Sequence, residues 1–246
     1  MDELIVKAAE DIEAARHVTA LTGAGISIES GIPPFRGKGG LWEKMDPMEF
    51  AHIDAFQCDP AKVWNLLIKG MKEVLDPAKP NDAHIGLAQL EKCGKLKTVI
   101  TQNVDGLHQA AGNTDVIEFH GSFAWQYCTH CGNRCKTSDV DMAKIPPTCQ
   151  CGGILRPDCI FFGEMIPFDA IQRSQEVAAS CDVMLVMGTS AMVQPAANLP
   201  VLARENGAKV IEINPEPTPL TGTTSDYIIQ GSGSRVMNGI MARLDG

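Results

Sequence analysis

The sequence is short of positive charge. Against 30 aspartates and glutamates stand 21 lysines and arginines, a formal net charge of −9. A chain this acidic has no general affinity for nucleic-acid phosphates, whose capture begins with clustered cations. A basic peptide partner suits the charge, and so does simple solubility. Long apolar runs are missing too: none reaches the roughly 18 residues of a membrane-spanning helix. The opening stretch, Met1 to His17, is too acidic for a secretion signal, so a cytoplasmic location is expected. There is no internal repeat and no low-complexity tract. With 44% hydrophobic residues in 246, the chain can bury a real core, as one large domain or a domain with an insert.

Cysteine, by contrast, is plentiful at nine. Cys58, Cys93, Cys159 and Cys181 stand singly in apolar or helical contexts, where a buried free thiol is the default. Cys128, Cys131, Cys135, Cys149 and Cys151 crowd into one stretch, and in an intracellular chain such crowding favours metal over disulfides. Cys128 and Cys131 have the two-residue spacer of a zinc knuckle; Cys149 and Cys151 are separated by one residue. The favoured ligands are Cys128, Cys131, Cys149 and Cys151, with Cys135 as a substitute for one of them. Four thiolates leave zinc no open position, so the ion would be structural.

Along the chain, short β-branched runs alternate with helical patterns. Leu4, Ile5, Ala8, Ala9, Ile12 and Ala15 form one face of an N-terminal helix. A strand over residues 17–22 runs into Gly23-Ala24-Gly25, a turn tight enough for backbone to approach a pyrophosphate. The third glycine of the dehydrogenase fingerprint is absent, since position 28 is Ile28. Prolines and glycines between Gly31 and Gly40 forbid a regular helix and imply an ordered loop or lid, in which Phe35 could cover a ring and Arg36 clamp a phosphate. Residues 46–75 look helical, and 81–93 form a helix with Asn81 as N-cap.

The centre of the sequence is Thr98 to Asp105. It reads as a buried parallel strand whose carboxyl end opens into Gln102, Asn103, Val104 and Asp105, where α/β sheets bind ligands. Three neutral polar groups and one carboxylate suit an amide or sugar hydroxyls. A second strand ends at His120, placed for general-base chemistry by an imidazole that titrates near neutrality. His84 reads as a structural histidine. Strands 182–187 and 209–213 close on Gly188-Thr189-Ser190 and Asn214-Pro215-Glu216, again with small polar groups at strand ends. Residues 227–229 make a last strand before Gly231 to Ser234. The alternation implies an α/β fold, a parallel doubly wound sheet interrupted by the zinc-bearing module.

Taken together and in order, Gly23 to Ser27, Gly31 to Gly37, Thr101 to Asp105, His120-Gly121, the paired cysteines, Phe161 to Glu164, Gly188 to Ser190 and Ile213 to Glu216 resemble the sirtuins, NAD-dependent protein lysine deacylases. The resemblance runs from about Leu21 to Gly233. It implies a Rossmann-type domain in two parts, 1–121 and 157–246, with the cofactor loop and a helical module near 30–80 and a zinc-binding small domain at 122–156. NAD and one structural zinc are the implied cofactors. Gly23, Ala24 and Gly25 would meet the pyrophosphate, with Phe35 and Arg36 on the cofactor loop. Asp105 would hold the nicotinamide carboxamide, with the backbone at Ile32 and Val104. Gln102 and Asn103 would sit at the nicotinamide ribose. Gly188, Thr189, Ser190, Asn214, Pro215, Glu216 and Gly233 would line the adenosine end. An acetyl-lysine peptide would add as a strand between Ile160, Phe161, Phe162, Gly163 and Val193, Gln194, Pro195.

The chemistry so implied is attack of the acyl-lysine amide oxygen on the ribose C1′, expelling nicotinamide. His120 then takes a proton from a ribose hydroxyl, with Asn103 beside it, and O-acetyl-ADP-ribose and free lysine result. Three features depart from the family pattern: Pro34 in the loop, the short second cysteine spacer, and Leu67 and Gly70 where members preferring acidic acyl groups carry Tyr and Arg. The last implies neutral acyl chains, acetyl first. A nicotinamide dehydrogenase, a non-enzymatic binding module and ADP-ribosyl transfer to another acceptor remain rival readings of the same motifs.

Overall fold

The computed structural model describes residues 1–35, 39–40, 43 and 46–244. Arg36 lies outside the described residues. Six strands form one sheet: β1 (Val18–Thr22), β2 (Leu96–Thr101), β3 (Val116–Glu118), β7 (Val183–Met187), β8 (Lys209–Asn214) and β9 (Tyr227–Gln230). The three intervening strands, β4 (Gly121–Cys128), β5 (Arg134–Lys136) and β6 (Leu155–Cys159), form a separate sheet. Both strand sets follow from pattern. β1 and β7 are buried at every position, as strands covered on both faces must be. β4 alternates buried with partly exposed residues, as an antiparallel strand with one wet face does.

In the large sheet the order is β3-β2-β1-β7-β8-β9, and every pairing is parallel. The order reverses between β1 and β7, so the crevice of this doubly wound sheet lies outside their carboxyl ends. Helices cover both faces. On one, the helix Asp2–Ala14 buries Ile5, Ala8, Ala9 and Ile12, and packs with helices Asp82–Lys92 and Gly233–Leu244 over β1, β2, β7, β8 and β9. On the other, helices Phe168–Ser180 and Leu199–Glu205 cover Leu21, Ile100, Met184, Val186 and Val210.

A third apolar cluster joins the small sheet to the segment after the cofactor loop. Phe56, Val63, Trp64, Leu67 and Ile68 pack against Cys159 and Phe161, and the Trp64 indole N–H donates to the Leu155 carbonyl at 2.9 Å. This is where the modest periodicity of residues 46–75 goes: short helices, with a π turn over Trp64–Ile68, present one apolar face to β6.

Several expectations change. Cys159 and Cys181 are buried, but Cys58 and Cys93 are exposed, because each sits at the solvent-facing end of a helix. The strand leading to His120 stops at Glu118, and β6 stops at Cys159, short of the Phe161–Glu164 turn. Two helices lie outside the elements read from the sequence, although Val236, Met237, Ile240 and Met241 of the second stand at helical spacing. Leu199–Glu205 is short and follows a proline-rich turn, and Gly233–Leu244 begins on a glycine-serine stretch with the composition of a loop. No helix among the described residues is long and apolar enough to cross a membrane.

Candidate active site

The two strands flanking the switch point end in glycine-bearing loops that touch backbone to backbone. Gly25 N–H donates to the Gly188 carbonyl at 2.7 Å and Gly23 N–H to the Met187 carbonyl at 3.1 Å. A Cβ on Gly25 would lie 2.7 Å from the Gly188 Cα, and one on Gly188, whose φ is +59°, 2.2 Å from the Ile26 nitrogen. These glycines are thus required by the approach of the two loops to each other, a reason beyond room for a ligand. After Gly23 the chain turns into a 3₁₀ helix, Ala24–Ser30. A cavity of about 130 Å³ opens beside it, lined by Gly25, Ile26, Ile28, Glu29, Met187, Gly188, Ile213, Pro215, Ser232 and Gly233. It gathers the glycine turn, the β7 loop, the β8 loop and the start of the C-terminal helix. Ile28, which breaks the dehydrogenase fingerprint, is part of its wall. Asn214 is partly buried, and its amide donates to the Glu216 carbonyl at 2.9 Å; Ser190 is exposed.

At the end of β2 the polar residues are fixed by one another. Asn103, 6% exposed, donates its side-chain amide to the Gly23 carbonyl and to Ser27 Oγ, both at 3.1 Å. A carbonyl only accepts, so the amide nitrogen must face Gly23, and the Asn103 Oδ1 is turned away from that pair. Ser27 Oγ donates to Asp105 Oδ2 at 2.7 Å, while Asp105 Oδ1 accepts from the Leu107 N–H at 3.0 Å. Gln102 donates its amide to Thr189 Oγ1 at 3.1 Å, linking the β2 and β7 loops. Ser27 escaped the sequence-derived site set, although it closes the glycine motif. Ile32 and Phe35 are partly buried in the loop that follows, Ile32 N–H donating to the Ser27 carbonyl at 3.2 Å. Val104 accepts from the Phe123 N–H at 3.0 Å.

His120 sits where the two sheets meet. Its Nδ1 lies 3.0 Å from the Gln102 carbonyl, and its own carbonyl accepts from the Ile160 N–H at 2.9 Å. The Gln102 oxygen can only accept, so Nδ1 carries the proton and Nε2 holds a free lone pair. Burial pushes the imidazole below its ordinary pKa, the bond to Gln102 opposing in part. The ring is therefore neutral at pH 7, with its basic nitrogen not committed to any hydrogen bond among the described residues.

Behind this loop a second pair of imidazoles is buried. His84 and His108 lie ring against ring, tilted by 59° with centroids 4.9 Å apart, 0% and 1% exposed. His108 Nε2 lies 2.9 Å from Thr22 Oγ1, which also bonds Thr101. Burial drives His108 down to about 3 and His84 to about 4, the Asp105 charge opposing the latter. Both are neutral supports of the strand ends. His84 completes a capping box with Asn81, as its local structural role requires.

On the other side of His120, Ile160 to Gly163 form a turn leaving β6. Phe162 N–H donates to the Ala51 carbonyl and Ile53 N–H to the Phe162 carbonyl, both at 2.9 Å, so one edge of the turn is taken by the protein itself. The Phe161 side chain is buried against Phe56, and that of Phe162 is partly exposed. Gln194 and Pro195 are exposed, and the Val193 carbonyl caps the short turn Ala196–Asn198 through the Ala197 N–H.

Four thiols converge at the far end of the small sheet. One sulfur from each of Cys128, Cys131, Cys149 and Cys151 lies within 4.8 Å of all the others, with Cys128–Cys151 at 3.5 Å and Cys131–Cys149 at 3.8 Å. Sulfurs about 2.3 Å from a tetrahedral zinc would be separated by nearly these distances, so the donor set fits zinc. Cys135 is not in the group. The short second spacer works because Gly153 follows: a Cβ there would lie 2.6 Å from Cys128 Sγ. The N–H groups of Cys131 and His130 hold the Cys128 thiol down to about 6, which favours the thiolate a metal needs.

A parallel sheet with its crevice at the switch point, beside a module closed by four cysteines, defines a nucleotide-binding α/β protein with a structural metal site. The sequence profile of the Sir2 family matches residues 23–195. The NAD-dependent protein deacylase 1 of Archaeoglobus fulgidus is 47% identical over 242 residues, 97% of this chain and 96% of its own. The NAD-dependent protein deacetylase of Caldivirga maquilingensis is 44% identical over 249 residues, 98% and 93% of the two chains. Among solved structures, a Sir2 homologue in complex with NAD matches with a TM-score of 0.90 at 44% identity, covering 97% of this chain and 93% of that one. A Sir2 protein with a deacetylated p53 peptide and 3′-O-acetyl-ADP-ribose matches with a TM-score of 0.89 at 34% identity over 96% of each. The chain belongs to the Sir2 family, the sirtuins.

Proposed function

We propose that this chain removes acetyl and other neutral acyl groups from protein lysine side chains at the expense of NAD, giving nicotinamide and O-acetyl-ADP-ribose. The observation that carries the reading is the position of His120: a neutral imidazole, its Nδ1 proton pinned by Gln102, between the loops of the nucleotide crevice and the Ile160 turn. Bound in the crevice, NAD supplies a ribose carbon activated by its pyridinium leaving group, which the amide oxygen of the acyl-lysine attacks.

The chain's residues divide the work. The Gly23–Gly25 turn, with Ala24, takes the pyrophosphate, and Gly188, Thr189, Ser190, Asn214, Pro215, Glu216 and Gly233 take the adenosine end. Phe35 covers the nicotinamide side. Asp105, its Oδ2 already oriented by Ser27, keeps lone pairs for the carboxamide N–H groups, with the backbone at Ile32 and Val104. Gln102 and Asn103 meet the ribose, Asn103 through the Oδ1 that its amide bonds to Gly23 and Ser27 leave over. His120 Nε2 removes the ribose hydroxyl proton, a contribution worth ~10²–10⁴ in rate. The acyl-peptide pairs with the open edge of Ile160 to Gly163 and with Val193 to Pro195, so main-chain bonds do most of the holding and sequence tolerance is broad.

Cys128, Cys131, Cys149 and Cys151 hold one zinc ion, which fixes the small sheet and takes no part in chemistry. The domain division at 1–121, 122–156 and 157–246 is supported by the two sheets, β4 and β6 leading into and out of the insert. Acidic acyl groups are disfavoured: Leu67 is buried among apolar residues and Gly70 has no side chain, so neither position offers a cation. The test is mass spectrometry of an acetyl-lysine peptide incubated with NAD. Deacetylated peptide, nicotinamide and acetyl-ADP-ribose in equal amounts support the reading. NADH, or nicotinamide without deacetylation, contradicts it.

A further inference from the structure

The Cys159–Glu164 turn is closed on a single buried cation. Arg156, 1% exposed, makes two bonds to Glu164, Nη1 to Oε1 at 2.9 Å and Nη2 to Oε2 at 2.6 Å, and the same Nη2 donates to the Cys159 carbonyl at 2.6 Å. Its guanidinium lies 4.2 Å from the Phe161 ring centroid, 5.0 Å from that of Tyr127 and 5.5 Å from that of Phe56. Glu164 in turn accepts the Phe161 N–H through Oε2 at 2.8 Å. One side chain therefore ties the first residue of the turn to the last, and the last ties back to Phe161. A planar fork matched to a carboxylate imposes direction as well as attraction, which an apolar pair of equal volume would not.

The orientation matters because of the edges. Phe162 spends both of its backbone groups on Ala51 and Ile53. The chain turns at Gly163, where the Glu164 N–H donates back to the Phe161 carbonyl at 3.0 Å. The Phe161 N–H is held by the Glu164 carboxylate, so both backbone groups of Phe161 are engaged by Glu164, and Gly163 is left to offer its backbone to an incoming strand. Gly163 is held at φ +85°, with the His52 ring 2.5 Å from where a Cβ would stand. Neither Arg156 nor Glu164 lines the switch-point cavity.

We propose that Arg156 and Glu164 are positioning residues for the acyl-peptide, holding the turn that presents the Gly163 backbone so that peptide affinity, and not dinucleotide affinity, depends on them. The proposal rests on the strand-addition reading of the site given above. It is tested by measuring KM for an acetyl-lysine peptide and for NAD, with melting temperature, in the wild-type chain and in Glu164→Ala, Glu164→Gln and Arg156→Lys. Since a displacement near 1 Å can cost up to about a hundredfold, the peptide KM of Glu164→Ala should rise at least about tenfold while the NAD KM stays within about twofold. Glu164→Gln keeps an acceptor for the Phe161 amide and should fall between wild type and Glu164→Ala. A purely structural pair would move both KM values by one factor, or neither, and that result overturns the proposal. If Glu164→Ala does not fold, the ratio in the isosteric Glu164→Gln decides. A wild-type chain without peptide turnover would remove the underlying reading itself, which the control separates from failure of the pair.

Discussion

His120 owes its behaviour to one hydrogen bond. With Nδ1 bound to the Gln102 carbonyl, the ring can neither flip nor change tautomer without losing that bond, and burial keeps it uncharged. Replacing it with Ala should lower turnover by ~10²–10⁴ while ADP-ribose binding, followed by calorimetry, stays close to wild type. Because the imidazole titrates below its ordinary value, kcat/KM should rise with pH to a plateau whose midpoint lies on the acid side of that value. The buried pair behind it makes a separate prediction. His84 and His108 bind protons more readily in the unfolded chain than in the folded one, so the stability they confer is complete above pH 6.5 and is lost as pH falls towards 4 and 3. By pH 4 His108 alone should cost roughly 3 kcal/mol, and urea unfolding between pH 7 and 4 should show less dependence on pH in His108→Gln than in wild type. At this scale the sequence is informative where a residue's position in a strand announces it. His120 and Asn103 follow apolar runs directly. Ser27 and His108 do not stand out, because their partners, Asp105 and Thr22, are distant in the chain and only the folded sheet brings them close.

At the scale of elements, two close approaches decide the architecture of the site. The β1 and β7 loops meet through Gly25 and Gly188, so Gly25→Ala must push backbone apart. Overpacking of this kind costs about 1–3 kcal/mol, and ADP-ribose affinity should fall with it. The cysteine knuckles meet through Gly153. Gly153→Ala, or Cys149→Ser, should lower bound zinc below the roughly one ion per chain that four thiolates hold, as read by metal analysis after gel filtration. Stripping the metal with a chelator should abolish peptide-dependent turnover and loosen β4–β6, while the helical circular dichroism of the large sheet's layers persists. The strands of the large sheet are legible, since a continuous β-branched run ending in small polar residues is what a strand buried on both faces and open at its carboxyl end requires. The helix Leu199–Glu205 is not, being short and introduced by a turn rich in proline and alanine. The C-terminal helix is legible only past its glycine-serine start, in the helical spacing of Val236, Met237, Ile240 and Met241; at that start Glu29 accepts the Ser234 N–H across the fold.

For the whole molecule, the strand order places everything. A parallel sheet whose strand order reverses between β1 and β7 must open its crevice there, and the chain on either side of the insert brings His120 and the Ile160 turn to the same edge. The alternation of strands with helices and the cysteine spacing foretold this plan. The pairing of Ala51 to Ile53 with Phe162 could not be read from sequence, because an isolated bridge leaves no periodic trace. At this scale substrate choice follows from the lack of a cation at Leu67 and Gly70: kcat/KM for an acetylated peptide should exceed that for the same peptide succinylated, in parallel assays of nicotinamide release. The central claim is that the crevice releases nicotinamide as the acyl-lysine presses in, and that His120 acts only afterwards. The most direct measurement is rapid quench of His120→Ala with NAD and an acetyl-lysine peptide, resolving nicotinamide from deacetylated peptide. The account predicts that peptide-dependent nicotinamide release and its exchange with labelled nicotinamide persist while deacetylated peptide falls ~10²–10⁴-fold. Equal loss of both would contradict it.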